Sequence, residues 1–167
     1  MDKITILTTW WTIDKDYWVG KWIYDVEIWE PIVWKVLKNY HINLDYEIIK
    51  VLQKDSLDMT DSDRLLIKEK IKWLDNNKIL ITHWTDTMIE TWKILQELKD
   101  KIIVIIGAER PWSMKYSDAE FNIWYALWVL KILSKLEQKW VFIAMNWECF
   151  NVSNVEKWED WVFRKIK

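Results

Sequence analysis

The chain has 167 residues, a length that suits one domain. Its 24 Lys+Arg against 26 Asp+Glu leave a net charge of -2, which argues against a nucleic-acid or anionic-membrane surface as the principal partner. Hydrophobic residues make up 51%, which excludes wholesale disorder, but 16 Trp beside 2 Gly is abnormal when glycine usually supplies roughly 7% of a chain.

In chain order, the apolar run at 4–7 predicts a first strand. It is too short for a signal peptide, and no stretch approaches the roughly 18 consecutive apolar residues of a membrane span. A helix is expected near 30–39, with Pro31 at a tolerated first-turn position. A strand follows at 48–52 and a helix at 61–74. The third strand is predicted at 79–81. The helix after it carries Met88, Trp92, Leu95 and Leu98 on one face, and Thr87-x-x-Glu90 reads as its capping box. Strands at 102–106 and 141–145 bracket a helix at about 118–137 that is apolar nearly all round and expected to be well buried. The tail, 149–167, predicts two short strands with a turn near Trp158-Glu159-Asp160-Trp161. The strand runs are rich in Ile and Val and barely alternate, as strands covered on both faces do. The expectation is one α/β domain over 1–167: a doubly wound, mostly parallel sheet flanked by helices, with a short C-terminal hairpin. Cys149 is the single cysteine, which excludes an internal disulfide or a cysteine-based metal cluster and fits a reducing, cytoplasmic setting.

Placed on this map, the tryptophans fall where the chain leaves a strand. Trp10 and Trp11 follow strand one, Trp84 strand three and Trp147 strand five, while Trp158 and Trp161 bracket a turn. Such places call for glycine, which alone takes φ > 0 without steric cost. Use of Trp as a binding aromatic is the competing reading, but an aromatic surface does not abolish glycine.

Ligands of open α/β sheets bind outside the carboxyl ends of the strands. Thr8, Thr9 and Thr12 follow strand one, and Asp55, Ser56 and Asp58 follow strand two. His83, Thr85, Asp86 and Thr87 follow strand three, Glu109 and Arg110 strand four, and Asn146 and Glu148 strand five. No phosphate-binding loop of the Gly-x-x-x-x-Gly-Lys type and no Gly-x-Ser-x-Gly elbow is present. His41 and His83 lie far apart, so neither a metal site nor a cofactor is expected. Threonine chemistry remains: a hydroxyl nucleophile, a second hydroxyl, an adjacent carboxylate and a lysine.

Thr9-Trp10-Trp11-Thr12-Ile13 resembles the Thr-Gly-Gly-Thr-Ile motif of bacterial-type L-asparaginases, with both glycines written as Trp. Thr82-His83-Trp84-Thr85-Asp86-Thr87 resembles their second motif, again with Trp for Gly. Asp55-Ser56-Leu57-Asp58-Met59 is similar to the substrate-binding segment, and Gly107-Ala108-Glu109-Arg110-Pro111 to the stretch after the fourth strand. Met145-Asn146 followed by Val155-Glu156-Lys157 matches the spacing to the catalytic lysine. The resemblance covers nearly the whole chain but only the family's N-terminal domain.

It implies that Thr12 is the nucleophile attacking a side-chain amide carbon, forming a covalent acyl-enzyme. It implies that Tyr17 belongs to the loop closing over substrate and that Ser56 binds the substrate's carboxylate. Thr85, Asp86 and Lys157 would form the second catalytic set, with Thr85 and Asp86 also touching substrate. A threonine hydroxyl must lose its proton to a base, and lysine serves only if its pKa is lowered while Asp86 pulls it up. The identity of the base stays open. Backbone N–H groups of the first turn and near Thr85 would hold the oxyanion, which explains the glycines.

The implied activity is hydrolysis of L-asparagine to L-aspartate and ammonia by a homodimer or higher homo-oligomer. Alternatives are an amidase for another small amide, or a non-catalytic ligand-binding domain. The family has glutamine at Leu57, and its second domain, which lends a glutamate to the neighbouring subunit's site, lies beyond this chain. The tryptophans themselves point to decoding. Some bacterial lineages read UGA as glycine, and translation under a code that reads UGA as Trp would convert each such glycine. A protein made as written is expected to be inactive and poorly folded.

Overall fold

A computed structural model describes residues 3–9, 31–40, 42–54, 58–151, 155–157 and 163–165. These form a six-stranded sheet in the order β2-β1-β3-β4-β5-β6 and a separate two-stranded hairpin, β7-β8. The strands are β1 (Ile4–Thr8), β2 (Tyr46–Lys50), β3 (Lys78–Thr82), β4 (Ile102–Ile106), β5 (Val141–Met145), β6 (Glu148–Asn151), β7 (Val155–Lys157) and β8 (Phe163–Lys165). Helices α1 (Ile32–Asn39), α2 (Asp61–Lys72), α3 (Met88–Leu95) and α4 (Ala119–Lys135) lie between them. β1 to β5 run parallel, and β6 returns antiparallel to β5. The expected fold class is the one observed.

The near-continuous apolar strands follow from cover on both faces. Ile4, Ile6, Leu80, Val104 and Ile106 pack toward α1 and α4. Leu7, Ile79, Ile81, Ile103 and Ile105 pack toward α2 and α3. Alternation with period two thus divides one sheet between two cores, and every residue of β1, β3 and β4 is buried. Each fully buried aliphatic contributes roughly 1.5–3 kcal/mol, so the sheet is the rigid base on which the loops at its carboxyl edge stand.

Four local expectations need correction. The second strand lies two residues earlier than 48–52, because Tyr46–Lys50 is the stretch in register with Ile4–Thr8. It is an edge strand, only half buried, while Val51 and Leu52 turn away to pack beside the α2/α3 core. The fourth helix is not buried all round, since Phe121 and Trp128 are exposed. The capping box belongs to α2 rather than α3. Thr87 sits before α3 with φ -117° and ψ 25° and makes no side-chain cap bond, whereas Thr60, extended at φ -90° and ψ 167°, accepts from the Asp63 N–H and its own N–H bonds the Asp63 carboxylate. Finally, the tail begins with a strand that sequence reading missed: β6 precedes the β7-β8 hairpin. The expected turn at 158–161 lies outside the described residues.

β5 and β6 are joined through Asn146 and Trp147, because Met145 pairs with Glu148. Both central residues have positive φ, 55° and 64°. That is the signature of a type I′ hairpin turn, whose favoured sequence is Asn-Gly. Tryptophan in this region costs about 1–2 kcal/mol of backbone strain. The residue is 68% exposed, and its ring lies over Tyr125 and Phe121 of α4, with centroids 5.2 and 5.3 Å away.

Candidate active site

The strand order reverses between β1 and β3, since β2 lies outside β1 and β4 outside β3. The carboxyl ends of these two strands form the crevice where open α/β sheets bind ligands. Thr8 and Thr82 end the two strands in register, both buried. Neither hydroxyl has a hydrogen-bond partner among the described residues. Thr9 then leaves β1 and donates its hydroxyl to the Thr82 carbonyl at 2.9 Å.

Beyond β3 the chain reaches a short corner before α3, and this corner carries a polar cluster at the edge. Lys157, on β7, places Nζ 2.5 Å from Asp86 Oδ1 and 3.0 Å from Thr85 Oγ1. Residues 71 and 72 positions apart in sequence therefore meet. The ammonium donates to both oxygens, and the contact is largely shielded, with the Lys157 and Asp86 side chains 15% and 22% exposed. Thr85 is buried. β7 is held in place by its pairing with β8 and by Val155 and Phe163, which are buried in the α2/α3 core. The other oxygen of Asp86 accepts the indole N–H of Trp84. Trp84 thus occupies half of the carboxylate that Lys157 leaves open.

His83 lies directly under this corner. Burial drives its pKa down to about 4, as does the nearby Arg64 charge to a smaller degree, although the bond to the Trp84 carbonyl opposes the shift. The ring is therefore neutral near pH 7. Its Nδ1 is 2.6 Å from the Trp84 carbonyl oxygen and its Nε2 is 2.8 Å from Thr91 Oγ1. Gly107, at the end of β4, lies against it. A Cβ there would stand 2.7 Å from the His83 carbonyl oxygen and 3.1 Å from Thr85 Cγ2. A side chain cannot fit, which accounts for one of the two written glycines.

On the β2 side, the segment leading to α2 is tied down by Asp63. Its carboxylate accepts from Lys54 Nζ at 2.8 and 2.9 Å, from the Thr60 N–H at 2.9 Å and from the Thr60 hydroxyl at 2.7 Å. These bonds, the one from Lys54 foremost, hold its pKa down at about 2. Arg64, buried, donates to the Met59 carbonyl at 3.1 Å. On the β4 side, the Asp118 carboxylate accepts the Glu109 and Arg110 N–H groups at 3.0 Å, and Asn122 donates to the Gly107 carbonyl at 3.0 Å. Asn146 reaches Glu109 at 3.2 Å.

Of the residues singled out from sequence, Thr85, Asp86 and Lys157 come together. Thr12, Tyr17 and Ser56 lie outside the described residues. Sequence reasoning placed His83 at this edge without giving it a role, and did not anticipate the Lys54–Asp63 pair or the Trp84 contact. Only Gly107 offered a signal, as a glycine retained where glycine is scarce. Among the described residues no three His, Cys, Asp or Glu side chains are grouped to hold a metal ion, and no helix is long and apolar enough to cross a membrane.

The family model described as "Asparaginase, N-terminal" matches residues 23–167. A glutaminase-asparaginase of Acinetobacter glutaminasificans is 32% identical over 115 residues, covering 65% of this chain and 34% of that protein. A probable periplasmic L-asparaginase of Haemophilus influenzae is 33% identical over 115 residues, covering 66% of this chain and 32% of its own length. The crystal structure of a probable cytoplasmic L-asparaginase from Campylobacter jejuni superposes with a TM-score of 0.79 at 25% identity, over 99% of this chain and 53% of that one. The chain thus spans about a third of the curated relatives it matches. A match over most of its length, with the sheet order and the carboxyl-edge corner already described, makes the chain a member of the asparaginase family in the region of the family's N-terminal domain.

Proposed function

We propose that this chain carries the amide-hydrolysing site of an asparaginase. Lys157 bridging Thr85 and Asp86 is the observation that carries the reading. In that arrangement Asp86 holds the ammonium in place and the ammonium, donating to Thr85 Oγ1, fixes that hydroxyl. Lys157 can take a proton from Thr85 only as it passes one of its own to Asp86, and both contacts that this transfer needs are already made. Thr12 attacks the amide carbon, ammonia leaves, and water releases the acyl group. Tyr17 closes over the substrate and Ser56 holds its carboxylate. The chain works as a homodimer or higher homo-oligomer in the cytoplasm, as one domain over 1–167. L-asparagine is the substrate. Leu57, where the family has glutamine, favours a second reading, an amidase for another small amide.

Position 84, and with it 10 and 11, is glycine in the natively decoded protein. Two observations support this. Trp147 takes the left-handed turn position of an Asn-Gly hairpin, and the Trp84 indole competes for the Asp86 carboxylate. The codons at 10, 11, 84 and 147 are expected to be UGA, and UGG there would overturn the reading. Ammonia release from L-asparagine, L-glutamine and other small amides by the natively decoded protein tests the activity. Its loss in Thr12→Ala and Thr85→Ala is expected, and full retention in both would refute the roles given.

A further inference from the structure

The group at the floor of the site is His83, whose contacts place a hydrogen on Nδ1 and whose burial keeps the ring neutral. The Trp84 carbonyl can only accept, so the 2.6 Å contact requires a hydrogen on Nδ1. A neutral ring then leaves Nε2 bare, and the Thr91 hydroxyl, 2.8 Å away, donates to it in preference to the Thr87 carbonyl, which is 3.3 Å away. The same residue is gripped by its backbone, because its N–H donates to the Ile106 carbonyl at 2.7 Å. Its carbonyl lies against Gly107, where a Cβ would approach to 2.7 Å. Thr91 belongs to α3, whose Met88, Trp92 and Leu95 are locked in the core. A line of hydrogen bonds therefore runs from a rigid helix, through the ring, to the peptide immediately before Thr85.

We propose that His83 is a positioning residue for the Thr85–Asp86–Lys157 set, acting as a neutral Nδ1–H strut that holds the residue 84 carbonyl and so sets where the Thr85 hydroxyl meets Lys157. His83 is buried and touches none of the three side chains' reacting atoms, so it moves no proton in the reaction. The contact is to a backbone oxygen, so it holds whether Trp or Gly stands at 84. The proposal rests on the amide-hydrolysing reading of that set for its consequence, but the tautomer can be tested without it.

Two measurements on the natively decoded protein decide the matter. Nitrogen-15 NMR of the His83 imidazole at pH 7 is expected to find Nδ1 protonated and Nε2 bare. An Nε2–H tautomer or a cation would overturn the proposal. Ammonia release then compares His83→Asn, whose amide N–H can stand where Nδ1–H does, with His83→Leu, which has no donor. Loss of the strut allows a misplacement of the kind that costs on the order of a hundredfold in kcat, so the Leu variant is expected to fall that far while the Asn variant stays within roughly tenfold of the parent, about the value of one hydrogen bond. Equal kcat losses in the two variants, in step with their melting temperatures, would mean a purely structural histidine and refute the proposal. If the Leu variant fails to fold, the tautomer and the Asn variant still decide. If the parent protein releases no ammonia, the functional reading fails, while the imidazole spectrum still tests the strut.

Discussion

Removing the charge of Asp63 tests how the segment before α2 is held. In Asp63→Asn the amide oxygen can still accept the Thr60 N–H, so the cap survives in part while the ion pair with Lys54 is lost. Asp63 has a pKa of about 2 against an ordinary 3.8. At 1.36 kcal/mol per unit, that difference corresponds to about 2 kcal/mol of stability. Its side chain is 11% exposed but Lys54 is 47% exposed, so solvent trims the ion-pair share and leaves about 1–2 kcal/mol. The sign follows from the depressed value. The contribution is whole above the unfolded pKa near 4 and is lost as pH falls through 2, with about half remaining at pH 3. Urea unfolding of parent and variant at pH 7, 5 and 3 measures the gap. The gap is expected to be constant from pH 7 to 5 and to shrink by about half at pH 3. No gap at pH 7, or one undiminished at pH 3, would refute the assignment of this carboxylate as an ion-paired cap.

Three further outcomes follow from particular contacts. At the β5–β6 turn, Trp147→Gly is expected to be more stable than Trp147→Ala by about 1 kcal/mol, because both remove the ring and only glycine removes the strain at φ 64°; equal melting temperatures would contradict the turn assignment. With glycine at 10 and 11 in both proteins, Trp84→Gly frees the second oxygen of Asp86 and is expected to raise kcat/KM for amide hydrolysis; an unchanged value would mean that the indole obstructs nothing. Gly107→Ala drives a methyl toward the His83 carbonyl and is expected to destabilise by about 1–3 kcal/mol in chemical unfolding; a neutral result would show that the strand end yields easily.

The sheet was legible because cover on both faces leaves an unmistakable trace: β4 and β5 occupy 102–106 and 141–145, as their apolar runs indicate. Edges were harder. At β2 the same run of Ile and Val continues past the strand into a loop that also packs on the core, so hydrophobicity alone cannot mark where pairing stops. β6 escaped because Trp stands where an Asn-Gly pair would have announced a hairpin. The capping pattern misled at Thr87 because a cap needs an extended backbone as well as a hydroxyl, and only Thr60 has both. Thr85 and Asp86 were legible as a motif. The approach of Lys157 rests on tertiary folding of β7 across 71 residues and was indicated only by spacing shared with a family. His83 was illegible, since one histidine in a motif does not reveal whether its ring meets solvent, substrate or, as here, a carbonyl and a buried hydroxyl.

Lys157 is the group that draws Thr85 and Asp86 together. Lys157→Met keeps the length of the side chain and removes its charge and donors. Ammonia release from L-asparagine by the natively decoded protein is expected to drop by roughly 10²–10⁴ in kcat, with the circular dichroism spectrum of the fold unchanged. A folded variant retaining kcat within about tenfold of the parent, less than a positioned proton-transfer group contributes, would contradict the central claim.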